Sequence, residues 1–267
     1  MLRYLHIYAL LIRNSLIREM SFKANFLLWT LVEILWFLGQ VLFIEVLFSH
    51  VTHIGDWSKW QMVALVGTHQ VIAQVFQAFF YMNLTQLPEL VRTGKLDVLL
   101  TLPIDAQFAV STKQFGLDNL LNTFIGLAFV GYGLYRLNLT PTSSQTLLYV
   151  LCIAIGVSVH YSVMFGLATF CFWIIRAQGL IYGYFNLFNI GRYPDTVFKG
   201  TFRAVFSWVI PVILVANVPA RIITDAQSTP TAVLFPIAQL LAAATGVFIA
   251  TRLLWRQALR RYSSASS

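Results

Sequence analysis

Charge is what this sequence has least of. Only 10% of its 267 residues are Asp, Glu, Lys or Arg, against about 25% in an ordinary soluble domain. A soluble chain of this length must still solvate its outside, and so few charges cannot do that. Cysteine is scarce as well. Cys152 and Cys171 stand apart in apolar stretches, a spacing that suits neither a disulfide framework nor a zinc site and reads as small buried hydrophobes. The histidines His6, His50, His53, His69 and His160 are scattered. His50 and His53 share a helical face without a third ligand, so no metal site is expected. Catalytic clusters, internal repeats and connections long enough for an outer domain are lacking too, and no catalytic residue is assigned.

What the chain does have is apolar surface. Its residues are 58% hydrophobic, with 22 Phe, 11 Tyr and 7 Trp, and its mean hydropathy is +0.73. A spanning helix needs about 20 mainly apolar residues. Windows of that kind fall at 26–48, 61–82, 115–135, 146–173, 201–219 and 232–254. The fifth is interrupted by Pro211 and Pro219, which membrane helices tolerate when neighbours satisfy the freed carbonyls. The fold class that follows is an all-α membrane protein, one transmembrane domain over 1–267 with six transmembrane helices.

The net charge of +8 is dispersed between the spans, which speaks for topology rather than for nucleic acid. With the N-terminus inside, 15 of the 18 Lys and Arg fall in inner segments, leaving Lys59, Arg136 and Arg221 outside. That bias places both termini in the cytoplasm. Residues 1–24 read as an elbow helix lying in the inner interface. Leu2, Leu5, Ala9, Ile12, Leu16 and Met20 share one arc, with Arg3, His6, Arg13 and Arg18 off it. Residues 174–200 read as a second inner or interfacial segment, because their apolar stretch is too short to cross.

The inner loop LTQLPELVRTGKLDVLLTLPIDAQF, residues 84–108, carries the most information. Pro88 and Glu89 suit a helix's first turn, and Gly94 suits its end. A short cytoplasmic helix and a second short element ending at Pro103 are expected. Free loops are polar, whereas Leu96, Val98, Leu99, Leu100, Leu102 and Ile104 need a surface to bury against, either a partner protein or the bilayer face. Arg92 to Leu96 looks like the end of a phosphate-binding loop but fails as one. Glu89 stands in place of the first glycine and Leu96 in place of the magnesium-binding Ser or Thr.

That loop, the stretch NIGRYPDTVF (Asn189 to Phe198) and the end LLWRQALRRYSSASS (Leu253 to Ser267) resemble an ABC-2-type transporter permease, in its six-span branch. The resemblance covers the whole chain. It implies an export permease in a bacterial inner membrane, working with two separate ATPase subunits and a second permease chain, identical or related, surrounded by lipid. It implies no cofactor in this chain, with ATP and Mg2+ held by the partner ATPase. Glu89, Arg92, Gly94, Lys95, Leu96, Asp97 and Pro103 match the loop pattern, and with Leu99 they are the expected ATPase-coupling residues.

Polar residues inside the spans complete the reading. Gln70, Gln74 and Gln77 share a face of the second span, and Glu33 and Gln40 a face of the first. Asn122 lies with Asp118 and Asn119 at the inner end of the third. Polar groups are expensive in lipid, so these should face the bundle interior. They either line a pathway or hold helices together by hydrogen bonds. A stand-alone secondary transporter or channel remains the alternative, but it calls for charges deep in several spans or paired broken helices, and only Glu33 sits deep.

Overall fold

The computed structural model describes residues 23–174, 177–225 and 230–262. The elbow helix expected over 1–24 lies outside the described residues, except for its last two, which open the first helix. Helix α1 (Lys23–His50) leads into a small hairpin of β1 (His53–Ile54) and β2 (Trp57–Ser58). Helix α2 (Lys59–Phe76) continues through a π-helical segment, Gln77–Tyr81, into α3 (Met82–Arg92). Short helices α4 (Leu96–Leu100) and α5 (Ala106–Ser111) follow, then α6 (Leu117–Leu137) and α7 (Ser143–Thr169). The chain ends with α8 (Gln178–Phe188), α9 (Gly200–Ala204), α10 (Val212–Thr224) and α11 (Pro230–Arg261).

Local chemistry sets several of these boundaries. Thr142 and Gln145 form a reciprocal capping box at the start of α7, each side chain accepting from the other's backbone N–H. Asn138, with φ 54°, closes α6 in the left-handed conformation. Gly94, with φ 70°, turns the chain after α3. Pro88 lies inside α3, not in a first turn as the sequence suggested. One helical path therefore runs unbroken from Lys59 to Arg92 and carries the second span straight into the loop.

Helix α2 is the centre of the bundle. It crosses α6 through glycines. A Cβ added at Gly126 would come within 2.9–3.0 Å of Val71 and the Gly67 carbonyl, and one at Gly133 within 2.9 Å of the Trp60 carbonyl. Small residues of this kind let membrane helices approach closely without a hydrophobic driving force. By contrast α1 is peripheral, with 11% of its apolar window buried against 72% for Lys59–Arg92.

Among the described residues, five helical runs are long and apolar enough to cross a membrane: Leu31–His50, Lys59–Arg92, Leu117–Leu137, Ser143–Phe172 and Leu234–Arg261. They define two ends of the bundle. The hairpin end holds the β1–β2 turn, and the loop end holds α4 and α5. The sixth passage is not where the sequence placed it. Tyr81, toward the loop end of the second span, packs on Phe185 at 4.8 Å between ring centroids. The Phe188 carbonyl then meets His69, and Asp195 reaches Arg221, which also bonds Asp56 of the hairpin. Residues 178–197 thus run from one end to the other, which overturns the expectation of an inner segment over 174–200.

The span expected over 201–219 is corrected with it. The arms Gly200–Val209 and Val212–Thr224 meet at 84°, where Pro211 has no N–H to continue a helix. Arg203 on the first arm and Arg221 on the second both bond Asp195. Both arms therefore attach at the hairpin end, and the pair is re-entrant. This moves Lys199 and Arg203 to that end and Arg192 into the bundle, which weakens the cation bias without inverting it. The sixth passage escaped detection because its second half is irregular backbone, tolerated at membrane depth only when buried in protein. Asn217 of α10 satisfies that backbone. Its Nδ2 donates to the carbonyls of Gly191 (3.4 Å) and Tyr193 (3.1 Å), and its Oδ1 accepts from the Asp195 N–H (2.9 Å).

Candidate functional site

Five of the six residues expected to line a pathway come together. Glu33 and Gln40 of α1 and Gln70, Gln74 and Gln77 of the second span border one cavity of about 340 Å³ between α1, α2 and α8. Helical spacing explains this. Glu33, Trp36 and Gln40 lie on one face of α1, and Gln70, Gln74 and Gln77 on one face of the second span. Asn122 does not join them; it is buried in α6, outside that lining.

Within the cavity the Gln70 Nε2 donates to Glu33 at 3.4 Å, and the Gln74 side chain sits beside the same carboxylate. Gln74 is 1% exposed, and its Oε1 has no partner. The sequence missed the opposite wall, where Asn186, Asn189 and Arg192 come from the sixth passage. Arg192 donates from Nε to the Asn189 carbonyl at 3.0 Å, and its guanidinium lies 6.0 Å from the Trp36 ring. The signal was present in the run from Tyr182 to Arg192, but that run could be placed here only once it was known to cross.

Behind the cavity lies an aromatic wall. His69 donates from Nε2 to the Phe188 carbonyl at 3.1 Å. The buried His160 bonds the Tyr184 hydroxyl through Nδ1 at 3.0 Å, with the Phe188 and Phe76 rings 3.7 and 3.9 Å away. These contacts place both histidines in packing roles. Among the described residues, no group of three His, Cys, Asp or Glu could hold a metal ion.

At the loop end the expected coupling residues divide into outward and inward sets. Glu89 and Arg92 form a bidentate pair at 2.7 and 2.9 Å on the exposed side of α3. Lys95 and Pro103 are also exposed, and Gly94 makes the turn. Leu96, expected to contact a partner, is fully buried within this chain, and Leu99 and Leu100 are half-buried against its core. The apolar groups left outside are Val98 and Leu102, 68% and 42% exposed. Asp97 faces the tail instead: burial, together with the Asp97 carboxylate, pushes the Tyr262 hydroxyl up to about 12.

A polar network fixes the loop to the bundle. Arg252 of α11 donates to both carboxylate oxygens of Asp105, and at 2.6 Å to Gln107. Gln107 in turn donates to the Tyr161 hydroxyl of α7 at 2.9 Å, and Ser111 shares that hydroxyl at 2.8 Å. The hydrogen bonds from Arg252 hold the Asp105 carboxyl below the usual carboxylate range, against the opposing effect of burial. Asp105 also caps α5 by accepting from the Phe108 N–H. Movement of the loop is therefore linked to α7 and α11 by hydrogen bonds as well as by the chain.

These features, a bundle of crossing helices with a polar cavity and a fastened loop, agree with the comparison to known families. No curated protein matches the chain. A family model described as an ABC-2 family transporter protein matches residues 34–266, most of the 267-residue length. The chain belongs to the ABC-2 transporter family, as a multi-pass membrane subunit of an ABC transporter.

Proposed function

We propose that this chain is the permease of an ATP-driven exporter, with the loop end in the cytoplasm and the polar cavity on the transport path. Two such chains, identical or related, would pair in a bacterial inner membrane and work with two ATPase subunits that hold ATP and Mg2+. The observation that supports this best is the loop. It is anchored to α7 and α11 through Tyr161 and Arg252, yet it leaves Val98 and Leu102 outward beside the Glu89–Arg92 pair and Lys95. An apolar patch with a charged rim suits a protein partner, and the fastenings would carry its motion into two spans. Glu89, Arg92, Lys95 and Pro103 then form the partner-facing rim, while Gly94, Leu96, Asp97 and Leu99 shape the loop from within. The cavity suits alternating access, since Glu33, Gln40, Gln70, Gln74 and Gln77 would be costly toward lipid. Asn122 serves helix packing in this reading.

The test uses Val98→Asp, because Val98 is the most exposed apolar residue of the loop tip and a charge there stays in water. Co-purification with the ATPase and transport-stimulated ATP turnover are expected to fall at least tenfold, with the permease still monodisperse in detergent. Normal assembly and turnover in Val98→Asp would remove the loop as the coupling element.

A further inference from the structure

The cavity holds two opposite charges that do not meet. Glu33 and Trp36 lie one helical turn apart on α1, and the Arg192 guanidinium is 6.0 Å from the Trp36 ring. Arg192 and Glu33 therefore border the same cavity without forming an ion pair. Among the described residues, neither Glu33 nor Arg192 has an ion-pair partner. Glu33 is served by amides and Arg192 by the Asn189 carbonyl. A charge held at membrane depth without a counter-ion is costly, and here two of opposite sign border one cavity.

The second observation is Gln74. Its Oε1 is an acceptor in a side chain 1% exposed, beside Glu33 and bordering the cavity, with no donor to satisfy it. A buried unpaired carbonyl of this kind calls for a donor from outside the chain. The donor that suits both Gln74 and Glu33 is a cation bearing N–H groups. The group that suits Arg192, with its forked donors, is a carboxylate or phosphate. The volume of about 340 Å³ stands at the small end of small-molecule sites, about 300–1,000 Å³. It admits a head group rather than a whole amphiphile. Val32 and Trp36, 50% and 57% exposed at its mouth, would leave an apolar tail in the lipid.

We propose that this cavity receives a zwitterionic group, a protonated amine against Glu33 and Gln74 and an anionic oxygen group against Arg192. The proposal rests on the reading of the cavity as part of the transport path and names the chemistry that path would admit. The two charges on one lining, rather than either alone, are what would favour a zwitterion over a ligand carrying a single charge.

The experiment is a binding titration on the purified full chain in maltoside micelles, without ATPase. The probes are lysophosphatidylethanolamine, lysophosphatidylcholine, lysophosphatidylglycerol and an alkylamine, all of one chain length. The ethanolamine lipid is expected to bind about tenfold more tightly than each of the others, since each lacks one charge-assisted hydrogen-bonding group. Glu33→Gln should erase its advantage over the glycerol lipid, and Arg192→Gln its advantage over the amine. Gln74→Leu should narrow its advantage over the choline lipid, which offers no N–H to either Gln74 or Glu33. Glu33→Asp and Arg192→Lys, with charge retained, should restore most of the preference and show that the fold is intact. Equal affinity for all four probes overturns the proposal, as does a preference that survives Glu33→Gln and Arg192→Gln. So does a result in which those substitutions only split paired chains, because the two charges would then meet across copies. A normal preference together with failed ATP-driven transport would strike the export reading alone.

Discussion

The two ends of the bundle are both closed by arginine–aspartate networks, but the networks do different work. At the hairpin end Arg221 bonds Asp56 at 2.7 Å and Asp195 at 2.6 Å, and Asp195 also takes Arg203 at 3.2 Å. Four segments meet there: the hairpin, the end of the sixth passage and both arms of the re-entrant pair. Gly55 presses so closely on Thr196 that a Cβ would stand 2.2 Å from its hydroxyl. At the loop end a single arginine, Arg252, holds Asp105 and Gln107, and the apolar tip beyond them stays uncovered. One end is knotted to itself, whereas the other is fastened at its base and free at its tip. A molecule that receives force at one end and opens a path toward the other would need that asymmetry.

The largest effect expected from breaking the comparison is at Asn217, which underlies the hairpin-end knot. Asn217→Leu leaves two carbonyls and one N–H of the irregular passage without partners in a buried site. The cost is about 3 kcal/mol or more, at about 1–3 kcal/mol for each orphaned group. Thermal unfolding in detergent should show a large drop in midpoint. A change no larger than that of a surface substitution would mean the passage does not depend on this side chain.

Arg252→Ala tests the loop end. Its partner Asp105 is 41% exposed in its side chain, so screening by water limits the loss to about 1 kcal/mol. The contrast should appear in function rather than in stability. ATP turnover should uncouple in part from transport, because the link from the loop to α11 is cut while the bonds of Gln107 and Ser111 to Tyr161 remain, whereas Asn217→Leu mainly unfolds the protein. Equal uncoupling by a hairpin-end change such as Arg203→Ala would remove the distinction between the ends.

How much of this the sequence revealed follows from the kind of signal each element carries. The runs around α1, the second span, α6, α7 and α11 announce themselves by length and apolarity, and the glutamine face by spacing alone. The passage over 178–197 does neither. Asn186, Asn189, Gly191 and Arg192 interrupt its hydropathy, and their polarity is answered by a distant Asn217 that no local pattern marks. The reverse error occurred at 201–219, where apolar composition concealed an 84° bend at Pro211. In the loop, Leu96 read as a surface in want of a partner, yet its own chain covers it completely. A short amphipathic element looks alike in sequence whether it docks inward or outward. The orphan at Gln74 and the unpaired Arg192 were hidden for the same reason, because both depend on what the sixth passage places beside them.

The smallest expected effect is acid sensitivity, which should be present at both ends. Burial would raise the Asp56 carboxyl, but the hydrogen bonds and charge of Arg221 outweigh it and leave it below its ordinary value. Asp105 is held below its ordinary value by Arg252. A carboxyl depressed on folding binds its proton less tightly in the folded chain than in the unfolded one. The stability it contributes is therefore fully present above the unfolded value, about 3.9, and is lost as the pH falls through the folded value. Unfolding midpoints should stay level for these two groups from pH 7 to about pH 5 and decline below about pH 4. Since both carboxylates are partly exposed, each contribution is small, well under about 1 kcal/mol. The comparison is sharpened by removing one arginine at a time. Arg221→Gln should flatten the part of the acid decline that comes from Asp56, and Arg252→Gln the part that comes from Asp105. In the double variant almost none of the decline attributable to these pairs should remain. If Arg252→Gln leaves the slope below pH 4 unchanged, Asp105 is not held by that arginine in the folded protein, and the fastening assigned to the loop end fails with it.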